Sequence, residues 1–219
     1  MDGCVDAGRI GPQGSDAAWS LAAEEIIAAG RRLDGRGWVP ATAGNISRRL
    51  PDGRIAITRS GCHKGFLTEQ DVIGIDLQGR ALRSGDRPSA ETELHCQIYR
   101  QVMPDGAVLH GHSVPATVLS MATTGHVIRF SGFELLKAFD GQHTHDTTLE
   151  LPVFDNDQDI ARLAALISPH LAACPLGYLI RGHGVYVWGR TTALALARLE
   201  GLEFLLACAL ERGKLDAGQ

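Results

Sequence analysis

The sequence has few cysteines, and none of them is arranged to share a site with another. The five cysteines of the 219-residue chain are far apart and form no CxxC pair; they are Cys4, Cys62, Cys96, Cys174 and Cys208. Disulfide frameworks usually contain an even number of cysteines, and structural zinc sites usually contain CxxC pairs. The pattern disfavours both kinds of site and favours reduced thiols in a cytoplasm.

Positive charge and long apolar runs are also scarce. The net charge of -4 and the pI near 6.1 argue against a nucleic-acid or anionic-membrane partner. No apolar stretch reaches the ~20 residues that cross a bilayer, and the N-terminus lacks the basic and apolar regions of a signal peptide. We therefore expect a cytoplasmic protein without nucleic-acid or membrane partners, in which a basic site for an anionic substrate is local.

The chain is long enough for one domain with a substantial core. We predict a disordered tail over residues 1–14, which are Gly-rich and aperiodic, and a single domain over residues 15–219. Helix patterns cover residues 17–33, 87–102, 116–122, 132–139, 159–173 and 191–213, and strand patterns cover 54–60, 72–80, 107–113 and the two halves of 177–189. Hairpin-like strand pairs without strict βαβ alternation predict an α/β fold with a central mixed or antiparallel sheet and helices on both faces.

Three histidines are candidate metal ligands. In LHGHS, His110 and His112 are two residues apart, so on a strand they point to the same face. His183 lies in RGHGV, where its glycine neighbours allow a tight turn. Three neutral imidazoles are a common Zn²⁺ set that leaves a position open for substrate. The segment QHTHD, with His143 and His145, has the same spacing, although a solvated loop is its better interpretation, and spacing alone leaves this alternative open.

Three segments could bind a phosphate group. TAGNIS, TRSGCHKG and PSAE contain small, hydroxyl-bearing and glycine residues, which expose backbone N–H groups to anions. Lys64 adds a positive charge to the second segment, and Ser89 in the third stands near a predicted helix N-terminus. Each segment alone could be a plain turn or cap, but three together indicate one convergent phosphate site.

Two glutamates could transfer protons. Glu134 lies in the largely apolar segment SGFELLKAF, where partial desolvation would tune its pKa. From the pattern alone, Glu91 is better interpreted as a first-turn helix residue than as a metal neighbour or general base. An exposed helical position is an equally good interpretation of Glu134.

These segments together resemble the class II aldolase/adducin superfamily. TAGNIS, ITRSG, RPSAETELH, AVLHGHS and GYLIRGHGVYVWG follow its order from about residue 16 to residue 212. Within it, the sequence resembles the methylthioribulose-1-phosphate dehydratase family through SGCHKGFLT, FELLKAF, LPVFDNDQDIARLA and LEFLLACAL. The resemblance implies a three-layer class II aldolase-like fold with a mostly antiparallel sheet, and a homotetramer with sites near subunit interfaces.

The resemblance also implies residue roles. It selects His110, His112 and His183 over the QHTHD pair as ligands of one divalent metal ion, for which Zn²⁺ is our expectation. It implies that Glu134 is the acid/base and that Glu91 is a metal-proximal catalytic residue. It implies phosphate contacts from the three turns, with Lys64 expected to compensate because Ala90 replaces the second serine of the last turn; the contact residues are Asn45, Ser60, Gly61, Lys64 and Ser89.

The implied substrate is a phosphorylated ketose, 5-methylthioribulose 1-phosphate, which would be dehydrated to 2,3-diketo-5-methylthiopentyl 1-phosphate in methionine salvage. A sugar-phosphate aldolase or epimerase and a non-catalytic adducin-like module are the alternatives. The apolar methylthio end needs an apolar pocket, for which the sequence offers Phe66, Phe130, Phe133 and Phe139 without choosing among them.

Overall fold

An eight-stranded sheet forms the middle layer of the protein in a computed structural model, which describes residues 16–218. The strands stand in the order β3-β2-β1-β4-β8-β7-β6-β5, and every neighbouring pair is antiparallel except β6 and β7. Their bounds are β1 Asn45–Arg49, β2 Ile55–Thr58, β3 Val72–Ile75, β4 Ala107–Gly111, β5 Val127–Ser131, β6 Thr148–Phe154, β7 Tyr178–Ile180 and β8 Gly184–Gly189. The predicted tail over residues 1–14 lies outside the described residues.

Helices cover both faces of this sheet. The apolar sides of α1 (Asp16–Gly35) and α5 (Thr192–Ala217) share one core, to which α3 (Val114–Ala122) contributes Ala116. The residues of α2 (Thr92–Gln101) and α4 (Ile160–Ile167) share a second core on the other face. Alternate residues of β4 belong to the two cores, as the two-residue period of a strand requires. The predicted three-layer α/β fold with a mostly antiparallel sheet is confirmed.

Two predicted helices are shorter than the sequence pattern indicated. The helix predicted over residues 87–102 begins only at Thr92, because Glu91 is the non-helical residue before its first turn. The helix predicted over residues 159–173 ends at Ile167 and continues as the 3-10 helix Ser168–Ala173, in which Pro169 lacks the backbone N–H that an α-helix would use. The segment around Glu134 is also 3-10 helix, over Glu134–Ala138.

Three strands were not predicted. Strand β1 begins inside TAGNIS, residues 42–47, a segment that was interpreted only as a phosphate turn. Strands β5 and β6 pair with each other at the far edge of the sheet. The strands and the break predicted within residues 177–189 are confirmed as β7, a tight turn and β8. Within residues 16–218, no helix combines the length and the apolar character that crossing a membrane requires.

Candidate active site

Four side chains converge where β4 ends. Glu91, His110, His112 and His183 each offer a ligand atom, and these atoms all lie within 4.8 Å of one another. A carboxylate oxygen of Glu91 is 2.7 Å from His183 Nε2, and its other oxygen is 3.4 Å from His110 Nε2. The structure thus brings the three predicted histidines together, and it adds Glu91 to them.

The two histidines of QHTHD lie elsewhere. His143 and His145 are both exposed in the segment between the 3-10 helix at Glu134–Ala138 and strand β6. This position confirms their interpretation as part of a solvated loop.

The sheet and its turns fix the rings of the cluster. His110 stacks on Tyr186 of β8 with a centroid distance of 4.1 Å, and its Nδ1–H donates to the Val185 carbonyl at 2.9 Å. His110 Nε2 therefore carries a lone pair, and this buried atom has no hydrogen-bond partner among the described residues. The backbone N–H of His112 donates to the Trp38 carbonyl at 2.6 Å.

Two glycines let these backbones approach each other. A Cβ atom on Gly184 would lie 2.2 Å from the Gly111 carbonyl oxygen, closer than any side chain allows. Gly44 has a φ of +75°, and a Cβ atom on it would lie 2.6 Å from the His110 carbonyl oxygen. Glycine is therefore required at both positions for the strand ends and the turns to reach the cluster.

Burial and charge give the cluster the protonation states that a metal needs. Burial lowers the pKa of His110 well below its ordinary value and that of His112 to about 4, so both imidazoles are neutral near pH 7. Burial would raise the pKa of Glu91, but His110, His183 and Asn45 outweigh it and hold that pKa well below its usual range. Neutral imidazoles around a carboxylate are a donor set suited to a divalent transition-metal cation.

A polar cavity of 340 Å³ adjoins the cluster and reaches His112. The three predicted phosphate turns all contribute to its wall, and the five residues expected to contact phosphate are all among its lining: Asn45, Ser60, Gly61, Lys64 and Ser89. Glu91 and His112 line it as well, so an anion in this cavity would lie beside the cluster.

Lys64 connects two of these turns. Its Nζ donates to the carbonyl oxygens of Thr42, at 2.8 Å, and Cys62, at 2.7 Å, and the side chain is buried. Burial lowers the pKa of this amine. Because two of its three N–H groups serve the backbone, Lys64 supports the cavity wall and has one donor left for a ligand.

A larger cavity of 910 Å³ has a mainly apolar wall, which includes Trp38, Pro115, Phe133, Leu135 and Phe204. Glu134 lines it, outside the four-residue cluster, with a side chain that is 72% exposed. Its hydrogen bond with Lys137, at 2.5 Å, lowers its pKa.

Phe133 lines the larger cavity, unlike the other three phenylalanines proposed for an apolar pocket. Phe130 and Phe139 are buried in the core, and Phe66 is exposed.

Comparison with known proteins agrees with this geometry. Residues 24–210 match the family described as Class II Aldolase and Adducin N-terminal domain. The chain belongs to this family.

Relatives named methylthioribulose-1-phosphate dehydratase are similar to this class II aldolase family member over nearly its whole length. The protein of Gluconacetobacter diazotrophicus is 68% identical, covering 90% of this chain and 96% of the relative. That of Granulibacter bethesdensis is 60% identical, covering 98% and 100%. The solved structure of L-fuculose-1-phosphate aldolase from Thermus thermophilus superimposes with a TM-score of 0.74 at 25% identity, covering 92% of this chain and 99% of the other.

Sequence reasoning missed two buried groups of this class II aldolase domain. Glu203 of α5 lines the larger cavity, is 2% exposed, and lies beside the Ser113 side chain. Burial raises its pKa to about 7. His95 lies fully buried on α2, four residues after Glu91, and this helical spacing was the available signal for it.

Proposed function

We propose that the protein is a hydro-lyase that dehydrates 5-methylthioribulose 1-phosphate to 2,3-diketo-5-methylthiopentyl 1-phosphate. One observation carries the proposal: the three-histidine cluster lies directly beside a polar cavity. Relatives of 60% and 68% identity named for this activity support the choice of substrate.

Three histidines would hold one divalent cation, and Zn²⁺ suits their neutral imidazoles best. The unpartnered lone pair on His110 Nε2 is one such ligand position. A bound cation supplies a Lewis acid that polarises the substrate carbonyl and stabilises the charge that develops when the neighbouring C–H bond is broken. Glu91 is the catalytic carboxylate nearest this position, since its oxygens face both His110 and His183.

The polar cavity would hold the phosphate. The amide of Asn45, the turn at Ser60 and Gly61, and the hydroxyl of Ser89 line it as neutral donors. Lys64 and Arg59 line it as positively charged side chains. A phosphate at C1 then places C2 and C3 of the ketose beside the histidines.

Glu134 would transfer the protons. Its carboxylate takes the proton from C3, leaving an enediolate across C2 and C3. The electron pair then moves to form the C3–C4 double bond as the C4–O bond breaks, and Glu134 returns its proton to the departing hydroxyl to give water. The resulting enol ketonises to the diketone. The ion pair with Lys137 keeps Glu134 ionised and ready to accept a proton.

The larger cavity would hold the methylthio end. His112 lines the polar cavity, and its N–H donates to the carbonyl of Trp38, which lines the larger one. A substrate that extends from one cavity to the other would pass the histidines and present its apolar end to Trp38 and Phe133.

The proposal also includes the cellular location, the pathway and the oligomeric state. The enzyme would act in the cytoplasm in methionine salvage, as a homotetramer with sites near subunit interfaces. The mass of the purified protein in solution, measured by light scattering, tests the tetramer: about four times 23.4 kDa is the expected result.

A product assay tests the function. The purified protein, incubated with 5-methylthioribulose 1-phosphate, should form the diketone, and a chelator should stop the reaction. The solved aldolase structure with this fold makes C–C cleavage the rival outcome. Dihydroxyacetone phosphate and methylthioacetaldehyde, the products of retro-aldol cleavage between C3 and C4, would overturn the proposal in favour of an aldolase if they formed in place of the diketone.

Metal analysis of the same preparation tests the non-catalytic alternative. An adducin-like module needs no metal, so a protein without bound metal and without a metal-dependent thermal shift would support that role instead. About one divalent ion per chain is the result expected of the enzyme.

A further inference from the structure

A chain of buried polar side chains runs from the cluster into the core beneath α2. Asn45, Ser47, His95 and Tyr99 are all buried, although the proposed reaction uses only the first of them. Buried polar groups are costly unless each finds a hydrogen-bond partner, and these four find one another.

The contacts are continuous. Asn45 Nδ2 donates to a Glu91 oxygen at 2.7 Å, and Asn45 Oδ1 contacts His95 Nε2. On the other side of the ring, His95 Nδ1 is 2.7 Å from Ser47 Oγ, which is 2.8 Å from the hydroxyl of Tyr99.

The donors and acceptors of these side chains allow only one direction for the hydrogen bonds that join them. The ionised Glu91 carboxylate only accepts, so Asn45 must present its NH₂ group to it and its Oδ1 to His95. An amide oxygen only accepts, so His95 Nε2 must carry the proton. The neutral ring then has its lone pair on Nδ1, which accepts from Ser47, and Ser47 in turn accepts from Tyr99.

Burial keeps the ring in this neutral state. His95 is fully enclosed, and burial lowers its pKa to about 4, although Glu91 partly opposes the shift. The ring therefore offers Asn45 a single donor at all pH values near neutrality.

We propose that His95 is a positioning residue that selects the orientation of the Asn45 amide and thereby holds Glu91 among the three histidines. If the Asn45 amide turned over, its oxygen would face the Glu91 carboxylate, and two acceptors would repel each other. The same orientation points Asn45 Nδ2 toward Ser89, 3.4 Å from its hydroxyl, on the wall of the polar cavity. The inference rests on the proposed function only in taking the cluster as a metal site.

Two substitutions of similar shape separate this role from simple packing. His95→Gln keeps an N–H donor near the position of Nε2, whereas His95→Met fills the same space without one. Supporting hydrogen bonds of metal ligands typically contribute ~10–100-fold to metal affinity. We expect His95→Met to weaken Zn²⁺ binding by ~10–100-fold and His95→Gln to keep it within about threefold of the unchanged protein, as measured by chelator competition.

A matched control and a second variant distinguish a specific loss of Zn²⁺ binding from misfolding. Gln97 lies buried on the same helix, and its Nε2 donates to the carbonyl of Ala164 in α4 at 2.6 Å, outside the series of side chains from Glu91 to Tyr99. Gln97→Met should lower the unfolding temperature while leaving Zn²⁺ affinity unchanged. Ser47→Ala, a smaller change, removes the donor to Nδ1 and should weaken Zn²⁺ binding in the same direction as His95→Met.

The pathway through Asn45 is tested in a double variant. If His95 acts through Asn45, His95→Met should weaken Zn²⁺ binding no further in a chain that already carries Asn45→Ala. Equal affinities for His95→Met and His95→Gln, or additive losses with Asn45→Ala, would overturn the proposal. Zn²⁺ affinity is measured without substrate, so a failed product assay and a failed affinity test are distinguishable.

Discussion

The two cavities of this protein differ in how their walls are built. The polar cavity is formed by three short turns that hydrogen bonds tie together, including those of Lys64 to Thr42 and Cys62. The apolar cavity is formed by side chains from segments far apart in the sequence, among them Trp38, Phe133 and Phe204. Under the proposed function, the first would bind the phosphate that all phosphorylated ketoses share, and the second would contact the part in which they differ.

The surroundings of Glu91 and Glu203, one beside each cavity, shift the pKa values of these carboxyl groups in opposite directions. Glu91, beside the polar cavity, is surrounded by partners that keep it ionised. For Glu203, in the apolar cavity, burial raises the pKa to about 7 and outweighs the opposing effect of the Ser113 side chain. We therefore expect changes near the polar cavity to affect turnover of every substrate. Changes in the apolar cavity should affect stability or substrate choice, except at Glu134, which lines this cavity and is proposed to transfer the protons.

Loss of the metal should have the largest effect. His112→Ala removes one of three imidazoles, and Lewis-acid stabilisation is worth several kcal/mol, so we expect turnover to fall by about 10⁴-fold. Turnover measured alongside bound metal checks this. His143→Ala, at the exposed QHTHD segment, is the control and should change neither; a metal-free His112→Ala protein that still turns over would place the chemistry elsewhere.

Glu134→Gln should have the next largest effect. The amide cannot accept or return a proton, so we expect turnover to fall by ~10²–10⁴-fold with the metal still bound. Steady-state kinetics on the metal-loaded protein measure this. Glu150→Gln, an exposed carboxylate paired with Arg129, is the matched control. Turnover of Glu134→Gln near that of the unchanged protein would remove Glu134 from the reaction.

Glu203→Gln tests the protonation of the buried carboxyl beside the apolar cavity, through the free energy of unfolding. The pKa of Glu203 is raised from 4.5 to about 7 in the folded state, so the folded chain keeps a proton that the unfolded chain releases. Its contribution to stability is complete below about pH 4.5 and is lost as the pH rises through 7. Between pH 5 and pH 8, the free energy of unfolding of the unchanged protein should fall by about 2–3 kcal/mol relative to Glu203→Gln.

Denaturant unfolding at both pH values measures this difference. Glu211→Gln changes an exposed carboxyl on the same helix, paired with Lys214, and should show no such dependence on pH. A constant difference between the unchanged protein and Glu203→Gln would mean that Glu203 is already ionised in the folded state.

Phe133→Ala should have the smallest effect and the most selective one. Shortening an apolar pocket wall changes discrimination by ~1–3 kcal/mol, so kcat/KM for the methylthio substrate should fall by about tenfold or more. The value for ribulose 1-phosphate, which lacks the methylthio group, should stay nearly constant. Equal losses for both substrates would show that the pocket does not contact the methylthio end.

The same contrast explains how much could be predicted from the sequence. Turns that expose backbone N–H groups have local signatures, so three segments could be assigned to one phosphate site from the residue pattern, and the family resemblance then implied Asn45, Ser60 and Ser89 as its contacts. The strand spacing of His110 and His112 was likewise a local signal. The antiparallel sheet followed from hairpin-like pairs, although three strands were missed. Strand β1 begins inside a segment interpreted as a turn, whereas β5 and β6 were missed even though buried and exposed residues alternate along them.

The remaining features depend on tertiary packing. The residue pattern alone did not predict that Glu91 lies beside the histidines, although the family resemblance implied it; α2 begins one residue later, and the Glu91 side chain contacts His183. The network through His95 and Ser47 joins a helix to a strand 48 positions away in the sequence, and no local pattern encodes such a pair. Glu203 resembles any other acidic residue of an amphipathic helix until its burial is known.

The most direct measurement follows the oxygen at C4 of the substrate. 5-Methylthioribulose 1-phosphate labelled with oxygen-18 at the C4 hydroxyl should yield an unlabelled five-carbon diketone that keeps its phosphate, with the label recovered in water. The label recovered in a shorter carbonyl fragment would mean that a C–C bond breaks, and it would contradict dehydration at this site.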